Sequence, residues 1–218
     1  GGGSVIDYAK IANNLNNIDK LKLDILNSKN KFNKIAELVA IPTTAGSGAE
    51  ITSSAVIYIN KIKYSVEGNQ MIPDHFFLIP KVILKNKRNL KSSSGFDAIS
   101  QSIESLISMR SNNTSVMFAK KSLKISLKYF LPYLEKPSFL NSNKMLIASN
   151  LSGKAIAISK TTAPHAVSYP LTSHFGISHG DAVSITLEDF LLFNYLNIHK
   201  SNANFNLKSR YNILFNLT

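Results

Sequence analysis

The sequence predicts a protein of two parts, an α/β part followed by an all-helical part. Three observations carry this. β-Branched and aromatic runs of strand length are confined to the first eighty residues. From Phe96 onward apolar residues recur at helical spacing. Between Thr161 and Gly180 two histidines, His165 and His179, stand fourteen positions apart with helix breakers between them. On one unbroken helix they would lie about 21 Å apart, too far to share an ion. Pro170, Gly176 and the Ser178-His179-Gly180 turn are breaks that would fold them together. His165 is then expected on one helix and His179 at the approach to the next.

At the start, Gly1 to Ser4 reads either as a flexible linker or as a glycine turn opening a helix through Val5-Ile6-Asp7-Tyr8-Ala9. In the second reading the free backbone N–H groups of that helix suit a diphosphate. Lys34 to Ile41 is a compact apolar segment ending at Pro42. The small and hydroxyl residues Thr43-Thr44-Ala45-Gly46-Ser47-Gly48 follow, and they let backbone approach a phosphate or ribose closely. Ala55 to Asn60 and Lys63 to Val66 read as the two strands of a hairpin, and Phe76 to Ile79 as another strand. In the second part Ile99, Ile103, Leu106 and Ile107 mark one helix, and Leu123, Leu127, Phe130, Leu131 and Leu134 the next. Met145 to Ile158 and Ala182 to Leu196 continue the pattern, whereas His199 to Thr218 is polar and Asn-rich and reads as a frayed end.

Composition narrows the chemistry. With 44% hydrophobic residues the chain can bury a core, and with no cysteine it has neither disulfides nor thiolate ligands. Any metal must be held by nitrogen and oxygen. The net charge of +12 comes from lysines scattered among Asn, Ser and Ile, not from a basic stripe with stacking aromatics, so nucleic acid is not the expected partner. A positive field still favours an anionic cofactor or substrate. No run is long enough for a membrane span and no leader pattern opens the chain, so no membrane partner and a cytoplasmic location are expected. A third ligand type is available at Asp97, one helical turn before Gln101 on the same face, with Glu104 continuing it. An Asp-His-His set leaves coordination positions open for a substrate oxygen.

These motifs resemble the iron-containing (group III) alcohol dehydrogenase family. GGGSVID from Gly1, IPTTAGSGAE from Ile41, SSGFDAISQSIESL from Ser93 and TTAPHAVSYPLTSHFGISHGDAV from Thr161 match that family's motifs in order. Gln at the fourth position after Asp97, together with the Gly153 to Gly180 segment, is similar to the phosphonoacetaldehyde reductase branch. The resemblance implies a dehydroquinate synthase-like fold: a partial Rossmann-like dinucleotide domain at residues 1–92 and a helical metal-binding domain at 93–218. It implies NAD(P)H as cofactor and a divalent metal, iron or else zinc or manganese, held by Asp97, His165 and His179. Gln101 takes the place of a further ligand histidine. Gly2, Gly3 and Ser4, with Asp7 in the same motif, would face the diphosphate, Thr43, Thr44 and Ser47 the nicotinamide half, and Lys63 the ribose and phosphate region. Tyr169 replaces a histidine of the cleft and is a candidate proton donor. His174 is expected in solvent or behind the ligands, and Ile79-Pro80 stands where the family usually shows Asp-Pro.

The implied activity is reduction of an aldehyde, phosphonoacetaldehyde in that branch, to a primary alcohol. Arg110, Lys154 and Lys160 are available to hold a phosphonate. Dehydrogenation of an ordinary small alcohol or diol, lyase chemistry on the same fold, and an inactive remnant are the alternatives, and a homodimer is a plausible assembly. The family's segments before the glycine turn and after the last motif lie outside these 218 residues, so an exposed sheet edge is expected.

Overall fold

The computed structural model describes residues 1–14, 33–60 and 62–217. Helix α1 (Gly3–Ala12) starts at Gly2, which has no capping side chain, and its first intrahelical bond runs from Ile6 N to Gly2 O at 3.1 Å. The N–H groups of Gly3, Ser4 and Val5 therefore open the helix without intrahelical acceptors. The inner face of α1 buries Ile6, Lys10 and Ile11. Lys10 Nζ donates to Thr52 O, Thr52 Oγ1 and Ser54 O at 2.9–3.0 Å, which ties the helix to the hairpin beneath it.

Strand β1 (Val39–Ala40) pairs in parallel with β4 (His75–Phe76), and β2 (Ser54–Ile59) pairs antiparallel with β3 (Ile62–Glu67). The hairpin appears where the alternation predicts it. The third expected strand does not extend to Ile79: β4 ends at Phe76, the last ladder bond runs from Phe77 N to Ala40 O at 3.0 Å, and Pro80 opens the short helix α2 (Pro80–Leu84). Proline's fixed φ suits a helix start, and Ile79 serves as its extended N-cap. Among the described residues, Val39, Ile41, Phe77 and Ile79 stand exposed at the parallel pair.

Helix α3 (Arg88–Ile107) begins five residues ahead of the Ser93 boundary and is the axis of the helical part. Around it lie α4 (Asn113–Glu135), α5 (Phe139–Ser159), α6 (Ala163–Phe175), α7 (His179–Leu196) and α8 (Leu207–Phe215). Ile99, Ile103 and Leu106 of α3 meet Val116, Ala119 and Leu123 of α4, Ala155 of α5, Leu187 of α7, and Tyr211 and Leu214 of α8 in one core. Buried serines let α3, α4 and α5 approach closely, and several of their hydroxyls bond across the contacts. Ser102 Oγ donates to Ser122 Oγ at 2.8 Å, Ser122 Oγ to Ala148 O at 2.8 Å, and Ser159 Oγ to Ser105 Oγ at 2.8 Å.

This packing corrects two expectations. Leu127 and Leu131 of the predicted stripe are exposed, because Ala119, Ser122 and Ser126 take the tight inner face of α4 and turn the larger residues outward. The chain after His199 is not frayed. Asn206 caps α8 by accepting from Ser209 N at 3.0 Å, and Tyr211, 1% exposed, sends its hydroxyl to Leu191 O at 3.1 Å. Among the described residues no helix is long and apolar enough to cross a membrane.

One glycine contact joins the parts and a second closes the helical part on itself. Gly48 has φ 61, and a Cβ there would lie 2.5 Å from Gly153 Cα, so the 41–50 loop touches the backbone of α5. A Cβ on Gly180 would sit 1.8 Å from Ser93 O, so the start of α7 lies directly on α3. The second contact brings His179 next to the helix that carries Asp97.

Candidate metal centre

Asp97 lies mid-way along α3, His165 in the first turn of α6, and His179 is the first residue of α7. Pro164 starts α6, and Gly176 ends it in the left-handed conformation (φ 71), so that α7 turns back toward α3. Gly176 and the Ser178 turn make the predicted break, whereas Pro170 does not: it stays within α6. Ligand-type atoms of Asp97, His165 and His179 all lie within 4.8 Å of one another. His165 Nε2 is 3.2 Å and His179 Nε2 3.9 Å from the same oxygen, Asp97 Oδ1.

The surroundings orient both rings. His165 Nδ1 donates to Glu104 Oε1, so its Nε2 is turned to the cluster. Glu104 is fully buried and also accepts from Thr162 N at 2.5 Å and Thr162 Oγ1 at 2.7 Å. Ser168 Oγ donates to His165 O at 2.7 Å and lies 3.5 Å from His179 Nδ1, leaving the His179 Nε2 edge toward Asp97. The role of Glu104 is not evident from the sequence beyond its place on the Asp97 face. One carboxylate behind a histidine and another in front of it is a frequent arrangement around protein-bound metals.

Electrostatics point the same way. Burial alone would depress His165, but the Asp97 and Glu104 carboxylates at its two nitrogens outweigh it and push the ring up to about 9. Burial would raise Asp97, yet its hydrogen bond to His165 and the charge of His179 hold it below the usual carboxylate range. His179 is lowered, chiefly by burial. Two buried carboxylates around one imidazole form a site that favours positive charge. Two imidazole nitrogens and a carboxylate oxygen with room beside them match the donor set of a catalytic divalent ion.

Gln101 is brought to the cluster in another orientation from the expected one. Its amide nitrogen donates to Asp97 Oδ1 at 3.1 Å, while its oxygen, the atom expected to face a metal, accepts from Ser152 Oγ at 3.0 Å. Tyr169 stands beside His179 with the rings 6.0 Å apart and nearly parallel, and Lys63 Nζ lies 3.0 Å from the Tyr169 ring centre. Burial pushes the Tyr169 phenol up to about 12 and brings Lys63 down to about 8, in the latter case against the charge of Asp7. His174 is exposed, as expected.

Asp97, Gln101, His165, Tyr169, His179 and Lys63 line one cavity of about 590 Å³. The same lining includes Gly3, Ser4, Asp7, Thr44 and Ser47. Asp7 Oδ2 accepts from Val56 N at 3.0 Å, and its buried Oδ1 faces the Lys10 ammonium at 3.5 Å. Gly2 and Thr43 are not in the lining. Gly2 is the α1 cap, and Thr43 is tied through its backbone to Gly1 O (2.9 Å) and to Asn86 Nδ2 (2.8 Å). Of the three basic residues considered for a phosphonate, Lys160 lines the cavity. Arg110 is exposed, and Lys154 Nζ lies 5.9 Å from the Phe118 ring.

Fold and site together define the class: a Rossmann-like α/β part joined to an all-helical part, with a His-His-Asp cluster on their shared cavity. Residues 1–80 match the model for iron-containing alcohol dehydrogenase and residues 91–215 the model for the C-terminal part of the Fe-containing alcohol dehydrogenase family. The chain belongs to this family. It is similar to a 1-propanol dehydrogenase of Salmonella typhimurium, at 29% identity over 89% of this chain and 50% of that one. It is also similar to a phosphonoacetaldehyde reductase of Streptomyces viridochromogenes, at 30% identity over 89% of this chain and 52% of the relative. The structure resembles that of sulfoacetaldehyde reductase from Bifidobacterium kashiwanohense in complex with NAD+, with TM-score 0.83 and 30% identity over 89% of this chain and 53% of that chain. The chain spans about half the length of these relatives.

Proposed function

We propose that the protein takes part in the metal- and NAD(P)H-dependent reduction of a short aldehyde to a primary alcohol, with phosphonoacetaldehyde as the substrate. The observation that carries this reading is the meeting of Asp97, His165 and His179 on a cavity that also receives the open N-terminus of α1. The three residues would hold a divalent ion, with Gln101 holding Asp97 in place and Glu104 fixing the His165 tautomer. When bound, the ion supplies Lewis acidity to the aldehyde oxygen and the nicotinamide supplies hydride to the carbonyl carbon.

The chain's own groups do the rest. Gly3 and Ser4 present N–H groups to a diphosphate, and Thr44, Ser47 and the Lys10-paired carboxylate of Asp7 present hydrogen-bonding atoms to the sugar and carboxamide. Lys63 adds positive charge on that side. Tyr169 keeps its proton at neutral pH, its ring lies beside His179, and its phenol is the group that would supply a proton to the oxygen left negative by hydride transfer. The names of the phosphonoacetaldehyde and sulfoacetaldehyde reductases support an anionic aldehyde; that of the 1-propanol dehydrogenase supports the rival small-alcohol reading. The test is NADH and NADPH consumption by the purified chain loaded with iron, zinc or manganese, with phosphonoacetaldehyde and propanal in parallel. Faster turnover of phosphonoacetaldehyde is expected. Turnover of neither, with metal bound, sinks the reading.

A further inference from the structure

Lys160 follows α5 with φ 58 and ψ 175, a backbone conformation populated almost entirely by glycine. The surroundings impose it. Lys160 N donates to Ile156 O at 2.9 Å, and Ser108 Oγ donates to Ser159 O at 2.6 Å, which anchors the residue before it. Glycine would adopt this backbone at lower cost, yet the position carries a long cationic side chain that lines the cavity holding Asp97, His165 and His179. Its Nζ meets one oxygen, Glu67 Oε2 on strand β3, at 2.9 Å. The side chains of this pair are 30% and 54% exposed, and ion pairs so exposed add little stability, so the bridge does not explain a lysine here. An ammonium has three donors, and those that Glu67 leaves over are available to a ligand.

Resting on the reductase reading above, we infer that Lys160 recognises an anionic terminus of the substrate. The substrate class is a short-chain aldehyde whose far end is a phosphonate, sulfonate or carboxylate, with its carbonyl at the Asp97–His165–His179 cluster. Glu67 holds the ammonium over the cavity and competes with the incoming anion for it. Lys63, whose ammonium meets the Tyr169 ring and whose charge acts on His179 as well as on Asp7, is a second cation of the same cavity.

The test is calorimetric titration of the full chain with 2-hydroxyethylphosphonate, which carries the anion without the reactive carbonyl. Lys160→Met is expected to weaken binding about tenfold or more, while Lys160→Arg keeps it within about threefold. Glu67→Gln is expected to tighten it, because the competing charge is gone. Lys160→Gly separates recognition from folding: its melting temperature should equal or exceed the parent's while anion binding is lost. Isethionate and 4-hydroxybutyrate replace the phosphonate in parallel arms to rank the three termini. No binding by the parent, or parent-like binding by folded Lys160→Met, overturns the inference. The two readings fail separately. If aldehydes are reduced but the preference for phosphonoacetaldehyde over propanal survives Lys160→Met, the anion site is wrong and the reductase stands. If no aldehyde is reduced but Lys160→Met abolishes phosphonate binding, the reductase reading is wrong and the anion site stands.

Discussion

Replacing Glu104 by glutamine probes how the histidines are held. The carboxylate is fully buried and accepts three hydrogen bonds, from Thr162 N, Thr162 Oγ1 and His165 Nδ1. Glutamine is nearly isosteric, but it has one acceptor oxygen and a nitrogen that only donates. That nitrogen must face either Thr162 or His165, both of which offer protons. A hydrogen bond to a charged group is worth about 1.5–3 kcal/mol, so losing one and opposing another should cost roughly 2–4 kcal/mol of stability. For a chain of this size that is a fall in Tm of roughly 5–15 °C. Freed from Glu104, His165 loses its fixed tautomer, and metal affinity should drop about 10- to 100-fold, or roughly 1.4–2.7 kcal/mol. Differential scanning calorimetry and competitive zinc titration read the two effects. A Glu104→Gln protein with parental Tm and zinc affinity within about twofold of the parent would refute this view of the site.

Three further outcomes are expected. Gly180→Ala places a Cβ 1.8 Å from Ser93 O, so α7 must shift off α3, with a loss of about 1–3 kcal/mol in chemical denaturation and weaker metal binding through displaced His179. Lys63, brought down to about 8 in the folded state, should titrate there by ¹³C NMR of its side chain. Its folded value lies below the unfolded one, so the unfolded chain binds more protons between the two. Its contribution to stability is therefore unfavourable below pH 8 and improves as pH rises toward the ordinary lysine value of 10.5. Lys63→Met should remove that slope, and cofactor affinity in the parent should fall as pH rises through 8. Tyr169→Phe removes the phenolic proton and should lower kcat by about 100-fold or more, with little change in metal content.

The ligand-type residues were legible because their chemistry is local: two histidines with breakers between them, and an aspartate one turn ahead of an amide and two turns ahead of a glutamate. The hairpin was legible from its alternation. The orientation of Gln101 was not, since it depends on Ser152, half a helical bundle away in sequence. Nor was Pro170, which reads as a breaker yet sits within α6, well past its first turn. Helix α8 was missed although Leu207, Tyr211 and Leu214 carry the spacing, because the Asn-rich setting masks a short helix stabilised by burial of Tyr211. Choosing Lys160 over Arg110 and Lys154 needed the cavity itself, because spacing does not say which lysine the end of α5 turns inward.

The most direct measurement is metal content by elemental analysis of the purified parent beside Asp97→Ala and His179→Ala, each checked for folding by circular dichroism. One divalent ion per chain in the parent, lost in both variants, is expected from the convergence of these side chains. A folded parent without metal after incubation with iron, zinc or manganese, or variants that keep the ion, would contradict the metal centre and the reductase reading built on it.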